Sequence, residues 1–459
     1  MKNLWILTEE RPKEFVITEI IKKFAYEKNV ECKIDQVKIL PIIKGDKFTF
    51  IYKVLGVKCE LIDNFFIKII SGNSSLVDFL IFYQELEPTI YEKPIYAIEE
   101  TKTDDSESRN TGVYQRCSKF VFIDYYYPDI KKVMLYNIRV LQNEHATSTN
   151  IFGTRMLLTI GVEISGKNLD SSIFKPFQTL DELINVKRNM RRPPAGNVPI
   201  DITKFNDKIT ISGRLIKSNS LSHDPNIGAL SIISKTIRKL GWNKDIVITK
   251  HGLSQKHISS NNKFIKIANQ LNLKLDGLIV PTANFANDYW KYEENGEKLV
   301  SIFVHLLIEG YTNGYSIYEN HAGCERGYFL CPQNECIAIE KYEDKDKYKN
   351  GDKTKIIFIP DLILYDIDRK KIINIEGKKY EKKNDGIKEI NNLGPIEERY
   401  IKKYYPNINE IIRSVVLFGG KDKIIYEPQV GFLLTKDGSL ILGPKAPQLF
   451  HEAINKLLR

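Results

Sequence analysis

Three residues in the last third of the chain have the types and the spacing of groups that could act together. Asp361 precedes one apolar segment, while Glu376 and Lys378 lie two positions apart near the end of the next. Alternate residues of a β-strand face the same side of a sheet, so we expect Glu376 and Lys378 to share a face. A turn at 366–369 would fold the second strand against the first and bring Asp361 close to Glu376.

This combination suits the binding of a hard divalent cation. Magnesium prefers oxygen ligands, takes few carboxylates from a protein and keeps several of its waters. Two acids without partners on an otherwise apolar strand pair would be costly, so a bound cation gives a physical reason for Asp361 and Glu376. Lys378 would orient and activate a water for attack on a phosphodiester, while the cation stabilises the charge that builds on phosphorus. The alternative is a surface hairpin with charged ends.

The elements around these residues must form a sheet and cover it. Hydrophobic periodicity predicts, in order, a helix at 297–309, strands at 356–365 and 371–378, a charged helix at 385–404 and a strand at 411–418. With Pro360 ahead of the aspartate, Asp361-x14-Glu376-x-Lys378 resembles the motif of the PD-(D/E)XK nuclease family, and this order of elements is similar to that family's core. The resemblance implies an α/β (α+β) fold with restriction-endonuclease-like cores, each a central mixed sheet flanked by helices.

The resemblance also implies a role for each residue. Asp361 and Glu376 would bind Mg2+ together with the main-chain carbonyl of Gly377, and Lys378 would be the catalytic lysine. The expected activity is that of a type II restriction endonuclease, a magnesium-dependent deoxyribonuclease that hydrolyses a specific double-stranded DNA sequence. The alternatives are a repair or recombination nuclease of the same fold, and a DNA-binding protein whose degenerate nuclease cores do not cut.

A second, similar arrangement lies near the N-terminus. An apolar strand leads to Glu100 and Lys102, and Asp78 heads the strand before it. A helix predicted at 109–124 and a strand predicted at 133–140 follow. This order also resembles the PD-(D/E)XK core, which would make Asp78 and Glu100 metal ligands and Lys102 a catalytic lysine, although no proline precedes Asp78. Three possibilities follow: both cores cut, one cuts while the other recognises DNA or is degenerate, or one assignment is a coincidence.

The number of cutting sites bears on assembly. Cleavage of a duplex requires two hydrolyses, and an enzyme with a single core usually obtains its second site by two-fold dimerisation. A chain with two cores needs no partner. We therefore expect either a monomer with two sites or a homodimer, with double-stranded DNA as the partner.

Basic and polar segments outside these sites are candidates for contacting DNA, with a solvated linker or loop as the alternative. The chain carries 68 Lys and Arg against 58 Asp and Glu, and this net charge of +10 raises the expectation of a nucleic-acid partner only slightly. The candidates lie behind the N-terminal Glu-x-Lys, in a basic run and in a polar loop: Arg109, Asn110, Gln115, Arg116, Lys187, Arg188, Arg191, Arg192, Lys250 and Lys256.

The cysteines do not have the pattern of a disulfide framework, but three of the six lie within 13 residues. His321, Cys324, Cys331 and Cys336 are candidate zinc ligands, with reduced structural cysteines as the alternative, because paired C-x2-C spacings are lacking. No apolar run reaches the roughly 18–20 residues that span a bilayer. A cytoplasmic protein without a membrane partner is the simplest expectation.

The length of 459 residues exceeds one ordinary core. We expect an N-terminal nuclease-like or DNA-recognition domain at 1–165, a middle region with linker and DNA-contacting elements at 166–290, and a C-terminal nuclease domain at 291–459. The middle region includes a helix-like stretch at 262–271 and an apolar segment, predicted as a strand, at 277–280.

Overall fold

The chain has a mixed α/β fold with several mixed sheets flanked by helices. It forms two compact units: Met1–Ile70 with Tyr292–Arg459, here the discontinuous unit, and Ser71–Lys291, the continuous unit. No helix in the described part of the chain is long and apolar enough to cross a membrane. The computed structural model describes residues 2–72, 75–101, 112–136, 148–165, 174–190, 201–217, 220–221, 226–259, 262–283, 289–293, 296–321, 327–344, 347, 356–420 and 425–459.

The N-terminal part of the discontinuous unit consists of a helix and four strands. These are β1 (Lys2–Thr8), α1 (Glu14–Lys28), β2 (Cys32–Lys44), β3 (Lys47–Cys59) and β4 (Ile62–Gly72). The strands lie in the order β2-β3-β4-β1, antiparallel except for the parallel pairing of β1 with β4. Helix α1 buries Val16, Ile20 and Phe24, which recur at helical spacing. Cys32 and Cys59 face each other across β2 and β3 and are joined by a disulfide.

The continuous unit begins with four strands and two helices. These are β5 (Phe79–Gln84), β6 (Tyr96–Thr101), α2 (Gly112–Ile123), β7 (Lys131–Tyr136), α3 (Ser148–Thr159) and β8 (Val162–Ser165). Strand β5 pairs antiparallel with β6, whereas β6 with β7 and β7 with β8 pair in parallel. Because parallel neighbours need a crossover connection, helices lie between them in the chain. The helix predicted at 109–124 is confirmed over the residues of α2.

The remainder of this part of the chain contains a second sheet, in the order β14-β13-β10-β9. The elements are α4 (Leu180–Asn189), β9 (Asp201–Lys204), β10 (Lys208–Ser212), β11 (Ile216–Lys217), β12 (Ser220–Leu221), α5 (Asn226–Lys239), β13 (Asp245–Thr249), α6 (Gln255–Ser259), α7 (Asn262–Gln270), β14 (Leu273–Leu275) and β15 (Trp290–Tyr292). The strand predicted at 277–280 is wrong. The chain turns at Gly277, whose φ is +71°, and Ile279 is exposed.

The C-terminal part of the discontinuous unit is built on a six-stranded sheet. Its elements are α8 (Glu297–Tyr311), β16 (Tyr315–Glu319), β17 (Tyr328–Leu330), β18 (Cys336–Ala338), β19 (Leu362–Asp366), β20 (Lys371–Lys379), α9 (Lys383–Asn391), α10 (Gly394–Ile396), α11 (Lys402–Tyr404), β21 (Glu410–Phe418), β22 (Val430–Leu434), β23 (Leu440–Leu442) and α12 (Gln448–Leu457). The sheet order is β16-β19-β20-β21-β22-β23. Pairing is antiparallel from β16 to β20, parallel from β20 to β22, and antiparallel at β23.

Most elements predicted around the Glu-x-Lys motif are confirmed, and two are altered. The helix predicted at 297–309 is α8, and the strands predicted at 371–378 and 411–418 are β20 and β21. The strand predicted from 356 begins only with β19, after Pro360, which has no N–H to donate to a ladder. The predicted charged helix is interrupted after α9, where Gly394 and Pro395 start a new turn.

The first 70 residues belong with the C-terminal part because of specific contacts. Arg11 Nε lies 2.6 Å from Glu319 Oε2, and the rings of Phe48 and Phe303 are 4.6 Å apart. Helix α8 is buried from Leu299 to Ile308, as expected for a helix that is apolar on all sides. The sequence led us to expect domain boundaries after residues 165 and 290. The structure places the boundaries between its two units after Ile70 and after Lys291.

Candidate functional site

Asp361 and Glu376 lie opposite each other at one end of the β19–β20 hairpin. Leu362 pairs with Ile375, so the residue before β19 faces the residue after Ile375. The backbone N–H of Gly377 donates a 2.9 Å hydrogen bond to Asp361 Oδ2. The hairpin therefore brings together the two acids expected to form one site.

Lys378 belongs to β20, and its side chain reaches the following helix, α9. Its Nζ is 2.7 Å from Glu376 Oε1 and 2.9 Å from Glu389 Oε2, which α9 contributes. Glu376 and Lys378 share a strand face, as the alternation of side chains predicts. Glu389 was not among the predicted site residues, because one acid in a charged helix is not specific for any function.

The charges of this site are unbalanced. Burial, followed by the charge of Asp361, raises the pKa of Glu376. Burial also raises the pKa of Asp361, although the Gly377 N–H and Lys378 oppose it. The pKa of Lys378 is raised as well, because Glu376 and Glu389 outweigh the effect of burial on the ammonium. These shifts have the signs expected for acids crowded together with one cation.

The donor set fits a divalent metal ion. When ionised, Glu376 and Glu389 both contact the single ammonium of Lys378, and Asp361 adds a third negative charge nearby, so negative charge is in excess. Hard cations such as Mg2+ prefer carboxylate oxygen, and binding one would offset the repulsion that raises the pKa of both strand acids. Asp361 and Glu376 are the residues that would hold it.

Glu297 is a further acid near the site that sequence reasoning missed. It is the first residue of α8, and its charge contributes to the raised pKa of Asp361. A Cβ atom at Gly377 would lie 2.7 Å from the Glu297 carbonyl oxygen and 3.1 Å from Asp361 Oδ2. Position 377, which lies against the start of α8, therefore admits only glycine without a shift of the backbone. The Gly at the centre of the Glu-Gly-Lys triplet was the available signal for this close approach.

A buried polar network adjoins the site on the other side of Ser301. His321 Nδ1 and Ser301 Oγ are 2.9 Å apart, and His321 Nε2 shares a 2.9 Å hydrogen bond with His305 Nδ1. Burial, with the neighbouring His305, holds the pKa of His321 well below its ordinary value. One ligand atom from each of His305, Glu319 and His321 lies within 4.8 Å of the others, so these three residues form another group that could hold a metal ion.

The predicted zinc cluster is not assembled among the residues that the structure describes. Cys331 is buried and Cys336 exposed on the β17–β18 hairpin, and neither belongs to the group that contains His321. Cys324 lies outside the described residues. The short spacing of these residues along the chain therefore did not predict which side chains lie close together in the structure.

The continuous unit contains a second cluster, and it differs from the predicted set. Asp78 faces Glu99 rather than Glu100, because its N–H donates to Glu99 Oε2 at 3.1 Å. Glu100 contributes its backbone N–H, which donates to Asp78 Oδ2 at 2.8 Å. Lys119 on α2 lies 2.7 Å from Glu99 Oε1 and 3.3 Å from Asp78 Oδ1. Lys102 lies outside the described residues.

The second cluster is also electrostatically strained. Burial, followed by the charge of Asp78, raises the pKa of Glu99 to about 8, while Lys119 and Arg116 oppose the shift. The pKa of Lys119 is raised by Asp78 and Glu99 in spite of its burial. With this pKa, Glu99 is mostly protonated at neutral pH.

The predicted DNA-contacting residues are only partly described. Gln115 and Arg116 are in α2, and Arg116 is near enough to Glu99 to affect its pKa. Lys187 and Arg188 form the last turn of α4, and Lys250 and Lys256 are exposed at a turn and on α6. The others lie outside the described residues: Arg109, Asn110, Arg191 and Arg192.

Comparison with protein-family models, with curated proteins and with solved structures gives no match. The chemistry of the two clusters is therefore the basis for inferring a function.

Proposed function

We propose that the protein is a magnesium-dependent endonuclease of the PD-(D/E)XK type that hydrolyses specific double-stranded DNA. The observation that carries the proposal is the opposition of Asp361 and Glu376 across β19 and β20, with Lys378 two residues further on the same strand face. Helix α8 precedes β19 and β20, with β16 and the β17–β18 hairpin between them, and α9 and β21 follow. Apart from those three additional strands, this order is in keeping with the family resemblance of the motif. A net charge of +10 favours a polyanionic substrate.

Each residue has a chemical task in this proposal. Asp361, oriented by the Gly377 N–H, and Glu376 bind the cation, which supplies charge stabilisation at the phosphate that is attacked. Lys378 donates a hydrogen bond to the attacking water or to a phosphate oxygen, and so fixes the geometry for in-line displacement. Glu389 holds the Lys378 ammonium in position and keeps it protonated.

The test is cleavage of long natural duplex DNA by purified protein, with Mg2+ and with EDTA. The wild-type protein should give discrete fragments with Mg2+ and none with EDTA. Glu376→Gln and Lys378→Met should lower the rate of double-strand cleavage by about 10²–10³-fold, the size typical of losing one charge-stabilising group. Glu381→Gln is the matched control, because Glu381 is an exposed acid in the turn that follows β20.

The products distinguish the alternatives. A smear without discrete bands would favour a repair or recombination nuclease, which acts on structure rather than sequence. Sequence-specific binding without any magnesium-dependent cleavage would favour a DNA-binding protein with degenerate cores. Cleavage by Glu376→Gln at the wild-type rate would remove the C-terminal site from the mechanism.

A further inference from the structure

The continuous unit repeats the arrangement of strands and helix that carries Asp361 and Glu376. There, β5 pairs antiparallel with β6, α2 follows, and parallel pairs join β6 to β7 and β7 to β8. In the discontinuous unit, β19 pairs antiparallel with β20, α9 follows, and parallel pairs join β20 to β21 and β21 to β22. Two parts of one chain thus share the order and the direction of four strands, and in both a helical connection joins the second strand to the third.

The register makes the correspondence exact to the residue. Phe79 pairs with Ile98, as Leu362 pairs with Ile375. An acid precedes the first member of each pair and another acid follows the second, so Asp78 and Glu99 occupy the places of Asp361 and Glu376.

A main-chain hydrogen bond marks the same correspondence independently of strand pairing. The residue after the glutamate donates its N–H to Oδ2 of the aspartate in both units, at 2.8 Å from Glu100 and 2.9 Å from Gly377. Glu100 therefore corresponds to Gly377. It is the residue between the two side chains of a Glu-x-Lys motif, and not its glutamate.

The lysine is where the two clusters differ. Counting along β6, the residue that corresponds to Lys378 is Thr101, which pairs with Tyr136 as Lys378 pairs with Leu417. A threonine supplies no ammonium group. Lys119 supplies one instead from α2, with its Nζ within 3.3 Å of both acids. In the continuous unit the ammonium group thus comes from the helix that follows the second strand. In the discontinuous unit the corresponding helix, α9, carries the acid Glu389 instead.

We propose that Asp78, Glu99 and Lys119 form a second site for phosphodiester hydrolysis that takes a divalent cation, so that one chain cuts both strands of a duplex. This inference rests on the proposed function of the C-terminal site. In the reaction a water oxygen forms a bond to phosphorus and one phosphorus–oxygen ester bond breaks. The proton of the attacking water passes to solvent, and the leaving sugar oxygen takes a proton from solvent. Lys119 donates a hydrogen bond to the attacking water or to the phosphate.

The experiment uses a supercoiled plasmid that the wild-type protein linearises at one place, with a separate label on each strand. Glu99→Gln and Lys119→Met should nick one strand and slow cleavage of the other by about 10²-fold or more. Glu376→Gln should nick the opposite strand. The double variant Glu99→Gln/Glu376→Gln should leave the plasmid supercoiled. Lys131→Met, at an exposed lysine of β7, is the control and should linearise the plasmid as the wild type does.

The choice of lysine is tested by Lys102→Met. It should linearise the plasmid at the wild-type rate; nicking by Lys102→Met together with linearisation by Lys119→Met would overturn the assignment. Continued nicking by the C-terminal site reports that Glu99→Gln and Lys119→Met are folded.

Failure of this inference is distinguishable from failure of the proposed function. If Glu99→Gln linearises the plasmid and Glu376→Gln makes no cut, the second site is refuted while the first stands. If the folded wild-type protein makes no magnesium-dependent cut in any DNA, the proposed function fails and both sites fail with it.

Discussion

The backbone N–H of Gly377 holds Asp361 by a 2.9 Å hydrogen bond to Oδ2, and the same residue lies against the start of α8. A Cβ at this position would be 2.7 Å from the Glu297 carbonyl oxygen, which belongs to main chain and has little freedom to move. We therefore expect Gly377→Ala to displace the strand from the helix and misplace Asp361. Cleavage should fall by about 10²-fold or more, because small errors of position are costly in catalysis.

The matched control for this substitution is Gly394→Ala. A Cβ at Gly394 would have no heavy atom within 4 Å, and Gly394 lies in the helical turn α10. Cleavage should be unchanged and the midpoint of thermal unfolding unchanged or slightly higher, since alanine favours helix. Equal cleavage by Gly377→Ala and the wild type would show that the close approach at Gly377 has no catalytic role.

The pKa shifts of Asp361 and Glu376 predict that magnesium stabilises the protein more at high pH. Burial and the charges of neighbouring acids raise both values above those of the unfolded chain. Protonated acids therefore favour the folded state, and this contribution is lost as the pH rises through the folded-state pKa values. Mg2+ should raise the unfolding temperature by several degrees at about pH 8.5 and by much less at about pH 6.

Thermal unfolding of two variants checks the origin of that effect. Glu376→Gln should reduce the difference between the two pH values, because one of the two shifted acids is gone. Glu381→Gln should retain it, since Glu381 is exposed. A magnesium effect that is the same at both pH values in the wild-type protein would contradict the electrostatic account of the site.

Glu389 offers a way to shift the pH dependence of cleavage without removing a metal ligand. The charge of Glu389 contributes to the raised pKa of Asp361. Its side-chain hydrogen bond with Glu376 contributes to the raised pKa of Glu376. Glu389→Gln should therefore lower both pKa values, and the rising limb of the cleavage rate against pH should move to lower pH. The rate must be measured at a fixed, limiting Mg2+ concentration, and an unmoved limb would refute the coupling.

The proximity of Asp361 and Glu376 could be predicted from the sequence because the two residues are local. Asp361 and Glu376 belong to adjacent strands joined by a short turn, so alternation and hairpin geometry are enough to bring them together. The acids from helices were missed for the opposite reason. Glu297 and Glu389 meet the hairpin only through tertiary packing, and a charged residue on a helix usually marks a solvated face.

In the N-terminal cluster the sequence prediction grouped Asp78 with Glu100, whereas the structure places Glu99 beside it, because consecutive glutamates leave the strand register ambiguous. A shift of one position moves every side chain to the other face of a strand, and Glu99 and Glu100 satisfy the acidic pattern equally well. The pairing of Phe79 with Ile98 resolves the choice in favour of Glu99. The lysine could not be found by spacing at all, because Lys119 reaches the acids from a helix.

The buried ion pairs that Arg11 makes with Glu319 and Glu309 lead to a prediction about stability. The guanidinium of Arg11 is buried between two acids. Its Nε lies 2.6 Å from Glu319 Oε2, and its Nη1 lies 3.6 Å from Glu309 Oε2. Burial opposes ionisation of these acids, but His305 and Arg11 outweigh it and hold both pKa values well below the ordinary range. Arg11→Met would remove the main cation beside Glu319 and the second cation, after His305, beside Glu309, so the free energy of unfolding should fall by about 3 kcal/mol.

Urea unfolding at neutral and acidic pH measures this effect. Depressed pKa values mean that the two acids stabilise the fold above their unfolded pKa of about 4.3, and that this stability is lost as pH falls further. The loss between neutral and acidic pH should be smaller in Arg11→Met than in the wild type. Lys22→Met is the control: the Lys22–Glu19 pair is exposed, so its removal should cost less than about 1 kcal/mol. Equal costs for the two substitutions would show that burial adds nothing to the Arg11 pair.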